Sequence, residues 1–301
     1  MPAKWFICPD GQRQEIDACL SCRGCRMPQR CATRAYLRAV STDRVKAAAE
    51  RLVRPSSAGD GPRYLYLKHI HPYAVNPDER AFALHGTAVH GKLALDDFTE
   101  NILGEEALSD DLMRGTADFL EESEHVPGSY ELSDYKTWGS FKVCKVLGMI
   151  ERTEHVLDAD GAPVVYKSGE KKGQEKTRKV WLLEPETADI KALAYQENRY
   201  RIFFEKIGFP VHRMYAFAIV RDGATYIAQN RGIDRRTYCI NVPRLEDAAV
   251  LDYYATLRAE VQEGLGTGWV RRCNDWESWG GRRCDGYCEV ADECRTMKAH
   301  C

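Results

Sequence analysis

Apolar residues recur at helical spacing in some stretches of the chain and alternate with polar residues in others, and each change of period marks an element boundary. Helical spacing predicts helices over residues 35 to 53, 188 to 207 and 245 to 264, with a further short helix beginning at Ser140. Asn76-Pro77-Asp78-Glu79 supplies an N-cap residue, a proline for the first turn and early acidic residues. It predicts a helix running to about residue 97, with His90 on it. Alternating or continuous apolar runs predict strands at 113 to 121, 130 to 136 and 211 to 220, the first two separated by a Pro127-Gly128 turn. Residues 164 to 166 and 180 to 183 read as a hairpin whose tip is the basic run from Lys167 to Lys179. The first 31 residues show no clear period and read as an irregular metal-binding knot, and residues 54 to 62 as a loop of breakers.

Cysteine usage changes this picture most. Five of the twelve cysteines precede position 32 (Cys8, Cys19, Cys22, Cys25, Cys31) and five follow position 272 (Cys273, Cys284, Cys288, Cys294, Cys301). Only Cys144 and Cys239 lie between, and they read as buried small hydrophobes. In a chain of 301 residues with no apolar signal core after Met1 and no long apolar run, such clustering favours metal ligation in a reducing compartment over a disulfide scaffold. The expected address is the cytoplasm, with no membrane insertion. The expected organisation is a cysteine-rich segment over residues 1 to 34, a core over 35 to 265 with a basic insertion at about 160 to 182, and a second cysteine-rich segment over 266 to 301. The two ends are expected to meet.

Net charge of -2 hides a strong local asymmetry. Residues 91 to 134 carry thirteen Asp and Glu against Lys92 and Arg114, whereas residues 167 to 179 carry six basic residues against Glu170 and Glu175. Within the acidic block, Asp118 and Asp134 fall on the two predicted neighbouring strands, and Lys136 shares a strand face with Asp134. Hard carboxylate oxygens on adjacent strands can hold a divalent ion, and a lysine beside them can orient water or neutralise developing charge.

The flanking residues make the pattern specific. Gly86-Thr87-Ala88-Val89-His90, Gly115-Thr116-Ala117-Asp118, Asp134-Tyr135-Lys136 and Gln196-Glu197-Asn198-Arg199-Tyr200 occur in this order. Together they resemble the GTxxH, GxxD, (D/E)xK and QxxxY motifs of RecB-like nucleases in the PD-(D/E)XK superfamily. The resemblance implies a restriction-endonuclease-like α/β fold, a mixed sheet flanked by helices with a cysteine-rich metal-binding lobe formed by both termini. It implies that His90, Asp118, Asp134 and the carbonyl of Tyr135 ligate Mn2+ or Mg2+, and that Lys136 is the catalytic lysine. Gln196 and Tyr200, one helical turn apart, then position DNA or the lysine.

Cys284, Cys288 and Cys294, together with Cys31 ahead of a helix, resemble the iron-sulfur staple of AddB-type and CRISPR-associated RecB-like nucleases, which implies a 4Fe-4S cluster on these four residues. Cys8, Cys19, Cys22 and Cys25 form a second four-thiolate set suited to Zn2+. Two other allocations compete: Cys19, Cys22, Cys25 and Cys31 together, or Cys273 within the carboxyl-terminal set. Lys171, Lys172, Lys176, Arg178 and Lys179 are expected on the phosphate backbone of DNA. Trp138 and Phe141 offer faces for unpaired bases and equally suit a core. The resemblance implies an exonuclease acting on single-stranded DNA or free ends, with recombination, repair, phage or CRISPR-adaptation proteins as partners. The alternative reading is a noncatalytic nucleic-acid-binding protein on the same fold with structural metal sites.

Overall fold

The computed structural model describes residues 3–21, 24–41, 52–93 and 102–297. Along the chain, β1 (Ala3–Ile7), β2 (Arg13–Glu15), α1 (Ile16–Leu20), α2 (Arg34–Ser41) and α3 (Pro62–Ile70) come first. Next are β3 (Tyr73–Val75), α4 (Arg80–Leu93), β4 (Ile102–Ser109), β5 (Arg114–Glu122) and β6 (Tyr130–Trp138). The middle of the chain forms α5 (Ser140–Leu147), β7 (Met149–His155), β8 (Thr177–Leu183), α6 (Lys191–Lys206) and β9 (Val211–Val220). It ends with α7 (Tyr226–Asn230), β10 (Thr237–Asn241), α8 (Asp247–Thr267), α9 (Arg282–Gly286) and α10 (Ala291–Thr296). Among the described residues the largest sheet has five strands in the order β10-β9-β6-β5-β4, so the chain is a mixed α/β protein. No helix among them is long and apolar enough to cross a membrane.

The chain divides into two compact units. The first comprises Met1–Asp134, Ala192–Met214 and Pro243–Cys301; the second comprises Tyr135–Lys191 and Tyr215–Val242.

In the first unit the amino-terminal segment is more regular than its sequence suggests. β1 pairs antiparallel with β2 and parallel with β3, while α1 and α2 supply Cys19, Leu37 and Val40 to a core that also holds Phe6, Tyr66 and Leu67. Val270 and Val290 from the far end of the sequence complete that core, and Cys288 and Cys294 pack against it. The two ends do meet, through apolar packing. A pattern search misses β1 to β3 because strands of three to five residues offer too few alternations to stand out from a loop. The helix expected from Asn76 starts later, at Arg80. Asn76 Oδ1 accepts from the Asp78 amide at 3.1 Å, and its carbonyl accepts from the Arg80 amide at 3.2 Å, so residues 76 to 79 form a turn ahead of α4. Its expected continuation beyond Leu93, and residues 42 to 51 of the expected 35 to 53 helix, lie outside the described residues, while Leu52 and Val53 are described and are not helical.

β4, β5 and β6 form an antiparallel meander, with Glu106 opposite Ala117 and Phe119 opposite Ser133. The sequence reading lacked β4, whose Gly104 and paired Glu105-Glu106 break the alternation. α6 buries Arg199 and Arg201 completely. Arg199 meets Asp110 at 2.5 Å, and Arg201 meets Glu205 at 2.6 Å and also bonds Asp247. Buried guanidinium groups persist only when paired, and these are.

In the second unit Val143, Cys144, Val146, Ala218, Val220, Ile233 and Ile240 form the core, and Trp138 packs against it. Cys144 is thus the buried small hydrophobe expected. Cys239 is not: alternation along β10 buries Tyr238 and Ile240 and turns Cys239 outward. Phe141 is 40% exposed, with its ring edge-on to Trp181. α5 ends at Gly148, whose φ of +77° is left-handed and where a Cβ would approach the Glu184 carbonyl oxygen to 2.5 Å, so only glycine fits. The expected hairpin exists with another partner. β8 pairs with β7 over its full length, Arg152 opposite Val180, while residues 157 to 175 are joined by two isolated bridges.

Candidate metal centre

α4, β4 and β5 each bring one donor to the same place in the first unit. Ligand atoms of His90, Glu105 and Asp118 lie within 4.8 Å of one another, and His90 Nδ1 stands 3.4 Å from Asp118 Oδ2. His90 and Asp118 are the residues that the GTxxH and GxxD motifs single out; Glu105 is not in any motif. The β4–β5 register pairs Gly104 with Phe119 and Glu106 with Ala117, so Glu105 falls opposite Asp118. Continuing the β5–β6 register one step past Phe119 and Ser133 places Asp134 opposite Asp118 on the other side. Glu105 and Asp118 therefore share one row across β4 and β5, and Asp134 follows one step beyond the paired stretch of β5 and β6.

Directly opposed like charges destabilise a sheet. Burial and the facing Asp118 carboxylate both raise the pKa of Glu105, with His90 opposing. Glu105 also holds φ at +53°, a left-handed conformation that costs a non-glycine residue about 1–3 kcal/mol. The repulsion is what a divalent cation held by these side chains would relieve. The donor set of one imidazole and hard carboxylates suits Mn2+ or Mg2+. A spacing search could have found Glu105 only by pairing β4 with β5.

Asp134 is 5% exposed and is not in the close triad. Gln196 Nε2 donates to its Oδ1 at 3.0 Å, which gives the first residue of QxxxY a physical task. Tyr200, four residues on in α6, is buried, and its phenol is pushed well above its ordinary value by burial, then by Glu197, Asp134 and Asp118. It stays a neutral hydroxyl beside the carboxylates. Gly115 of GxxD explains itself sterically: a Cβ there would lie 2.8 Å from Tyr200 Cε1 and 2.8 Å from Pro55 Cγ. Glycine lets α6 bring Tyr200 against β5.

Tyr135 and Lys136 follow Asp134 directly on β6 and belong to the second unit. Strand alternation puts Lys136 on the face that Asp134 occupies and the Tyr135 side chain on the other, where its ring meets Phe217 edge-on at 6.1 Å. Of the basic residues, Lys171 and Lys172 lie in the exposed turn, and Lys176 caps the Tyr166 ring at 5.4 Å. Arg178 and Lys179 belong to β8 and pair across it with Glu154 at 3.5 Å and Glu151 at 2.8 Å.

The cysteines form two groups within the first unit. Arg26 bonds Asp10 at 3.0 Å and Gln12 at 2.6 Å, tying the segment that holds Cys25 to the turn after Cys8. Arg30 bonds the carbonyls of Cys19 at 2.7 Å and Ser21 at 2.8 Å, drawing Cys31 toward α1. Burial raises the Cys19 thiol; Cys25, Cys31 and Cys8 add to the shift, and Arg30 opposes it. Cys22 lies outside the described residues. At the other end, Cys284, Cys288 and Cys294 line one cavity of about 440 Å³ together with Cys273, and Cys31 is not in that lining. Three of the four residues expected at the cluster are thus together. No known family model and no curated protein matches this chain.

Proposed function

We propose that the chain is a metal-dependent DNA nuclease of the PD-(D/E)XK type. The observation that carries this reading is the group His90, Glu105 and Asp118, whose donor atoms from α4, β4 and β5 lie within 4.8 Å of one another. It is an arrangement of hard donors that a sheet would otherwise disfavour. A Mg2+ or Mn2+ ion held there would polarise a phosphoryl oxygen and lower the pKa of an attacking water. His90, Glu105 and Asp118 would hold the ion, and the Gln196 amide holds the Asp134 carboxylate from α6. Lys136 stabilises charge developing on the phosphate, and the Tyr200 hydroxyl remains a donor across the working pH range. Free or single-stranded DNA ends are the proposed substrate, with recombination or CRISPR-adaptation proteins as partners and the cytoplasm as the compartment.

The test uses end-labelled single-stranded DNA, linear duplex and closed circular duplex, each with Mn2+ or with EDTA. Cutting of the linear forms in Mn2+ alone is expected, reduced at least about a hundredfold in Asp118→Ala and Lys136→Ala. Cutting that survives both substitutions, or that persists in EDTA, would overturn the assignment. Retention of DNA without cleavage would favour the noncatalytic binding protein.

A further inference from the structure

The cavity of about 440 Å³ near the carboxyl end is bounded by Cys273, Cys284, Cys288 and Cys294. Its wall continues through Leu67 and Val290, both fully buried, and through the side of Tyr64. Arg272, Arg283 and Arg295 also border it, and Arg295 Nη2 donates to the Cys284 carbonyl at 3.1 Å. Four cysteine sulfurs around a partly apolar wall with guanidinium groups at its border suit an anionic inorganic cluster.

The spacing of the sulfurs separates a cluster from a single ion. Four thiolates at about 2.3 Å from zinc stand under about 4 Å from one another. Among the described residues, His90, Glu105 and Asp118 form the group of three or more donors gathered within 4.8 Å, and no three cysteines do so. No three of the cavity thiols are therefore gathered as tightly as ligation of one tetrahedral ion requires.

Cys31 has other company. The two arginine clamps hold it and Cys25 on the segment that carries Cys8 and Cys19. Cys273 stands where a fourth ligand is needed. Gly61, the residue ahead of α3, faces it so closely that a Cβ there would lie 2.3 Å from Cys273 Sγ.

We propose that the carboxyl-terminal segment alone supplies the four ligands of a 4Fe-4S cluster, Cys273, Cys284, Cys288 and Cys294, and that Cys31 is not one of them. The cluster is then a local staple between the exit of α8 and α10. The joining of the two chain ends falls to the apolar core. This inference does not depend on the nuclease reading.

The test is read without DNA. Full-length protein is prepared anaerobically with iron and sulfide, beside Cys31→Ser, Cys273→Ser and, as a control, Cys239→Ser. Visible absorption and iron per chain are expected to be lost in Cys273→Ser and kept in Cys31→Ser and Cys239→Ser. Bleaching in folded Cys31→Ser, a coloured Cys273→Ser, or a colourless wild type would overturn the proposal. Because Cys273→Ser can also fail by misfolding, the wild type is alkylated before and after oxidative destruction of the cluster, and the labels are mapped by mass spectrometry. New labelling of Cys273, Cys284, Cys288 and Cys294, with that of Cys31 unchanged, is the supporting result. Release of Cys31, or no release of Cys273, contradicts it.

Discussion

Glu105 joins the strain and the chemistry of the candidate metal centre in one side chain. Its left-handed backbone, at φ +53°, faces Asp118 across the β4–β5 pair. Glycine would remove the backbone cost and the repulsion together, so Glu105→Gly is expected to stabilise the metal-free protein by about 1 kcal/mol. The same change removes a donor and should weaken Mn2+ binding at least about tenfold. Thermal unfolding without metal and calorimetric Mn2+ titration check the two halves, and a glycine variant that binds Mn2+ normally removes Glu105 from the site. The motif residues His90 and Asp118 were legible because their local sequence is distinctive. Glu105 was not, because it is defined by a partner strand whose own alternation is broken.

At the scale of elements, strand β9 and helices α6 and α8 match the periodicity of their sequences to within a few residues, as long amphipathic or apolar runs should. The basic hairpin shows where such reading stops. β7, Met-Ile-Glu-Arg-Thr-Glu-His, is polar on both faces because much of it is exposed, so nothing in its pattern marks it as the partner of β8. That pairing sorts the basic residues. Lys171 and Lys172 stand in a turn, whereas Arg178 and Lys179 already meet Glu154 and Glu151 in exposed pairs, each worth no more than about 1 kcal/mol. Replacing Lys171 and Lys172 with Ala is expected to lower the slope of log affinity against log salt by about 0.7 for each lost contact to single-stranded DNA. Replacing Arg178 and Lys179 should change it less, since Glu154 and Glu151 already meet these charges. Equal slopes in all variants would mean that the hairpin is not a DNA surface.

At the scale of the whole molecule, the first unit is assembled from three separate stretches of chain, and its integrity rests on a few long-range contacts that no local pattern shows. The pair of Asp110, beyond β4, and Arg199, inside α6, is one of them. Burial alone would raise the Asp110 pKa. The Arg199 guanidinium and the Met113 and Leu112 amides outweigh it and hold the carboxyl below its ordinary value of 3.8. A group depressed on folding stabilises above its unfolded pKa and loses that contribution as pH falls through the folded one. Asp110→Ala is therefore expected to cost about 3 kcal/mol near neutral pH, leaving a buried arginine unpaired, and progressively less below pH about 4. Urea unfolding of both proteins across that range measures the difference, and a constant gap would show that the carboxylate charge is not what stabilises. The meeting of the two ends was legible from cysteine clustering alone. Its physical means was not, because the residues that join them are ordinary apolar positions, Phe6 and Leu37 in short elements and Val270 and Val290 in connections outside them.

The close approach of Gly61 to Cys273 makes these two positions a single choice. The backbone at Gly61 is extended, φ -77° and ψ 151°, and accepts any residue; the Cys273 sulfur is what excludes a side chain there. A thiol can thus enter this corner of the cavity from either of two places in the chain, more than two hundred residues apart, but not from both. Moving it, by Gly61→Cys together with Cys273→Ala, should preserve the coloured protein that Cys273→Ala alone loses. The relocated ligand would then tie α3 to α10 and turn a local staple into a long-range one.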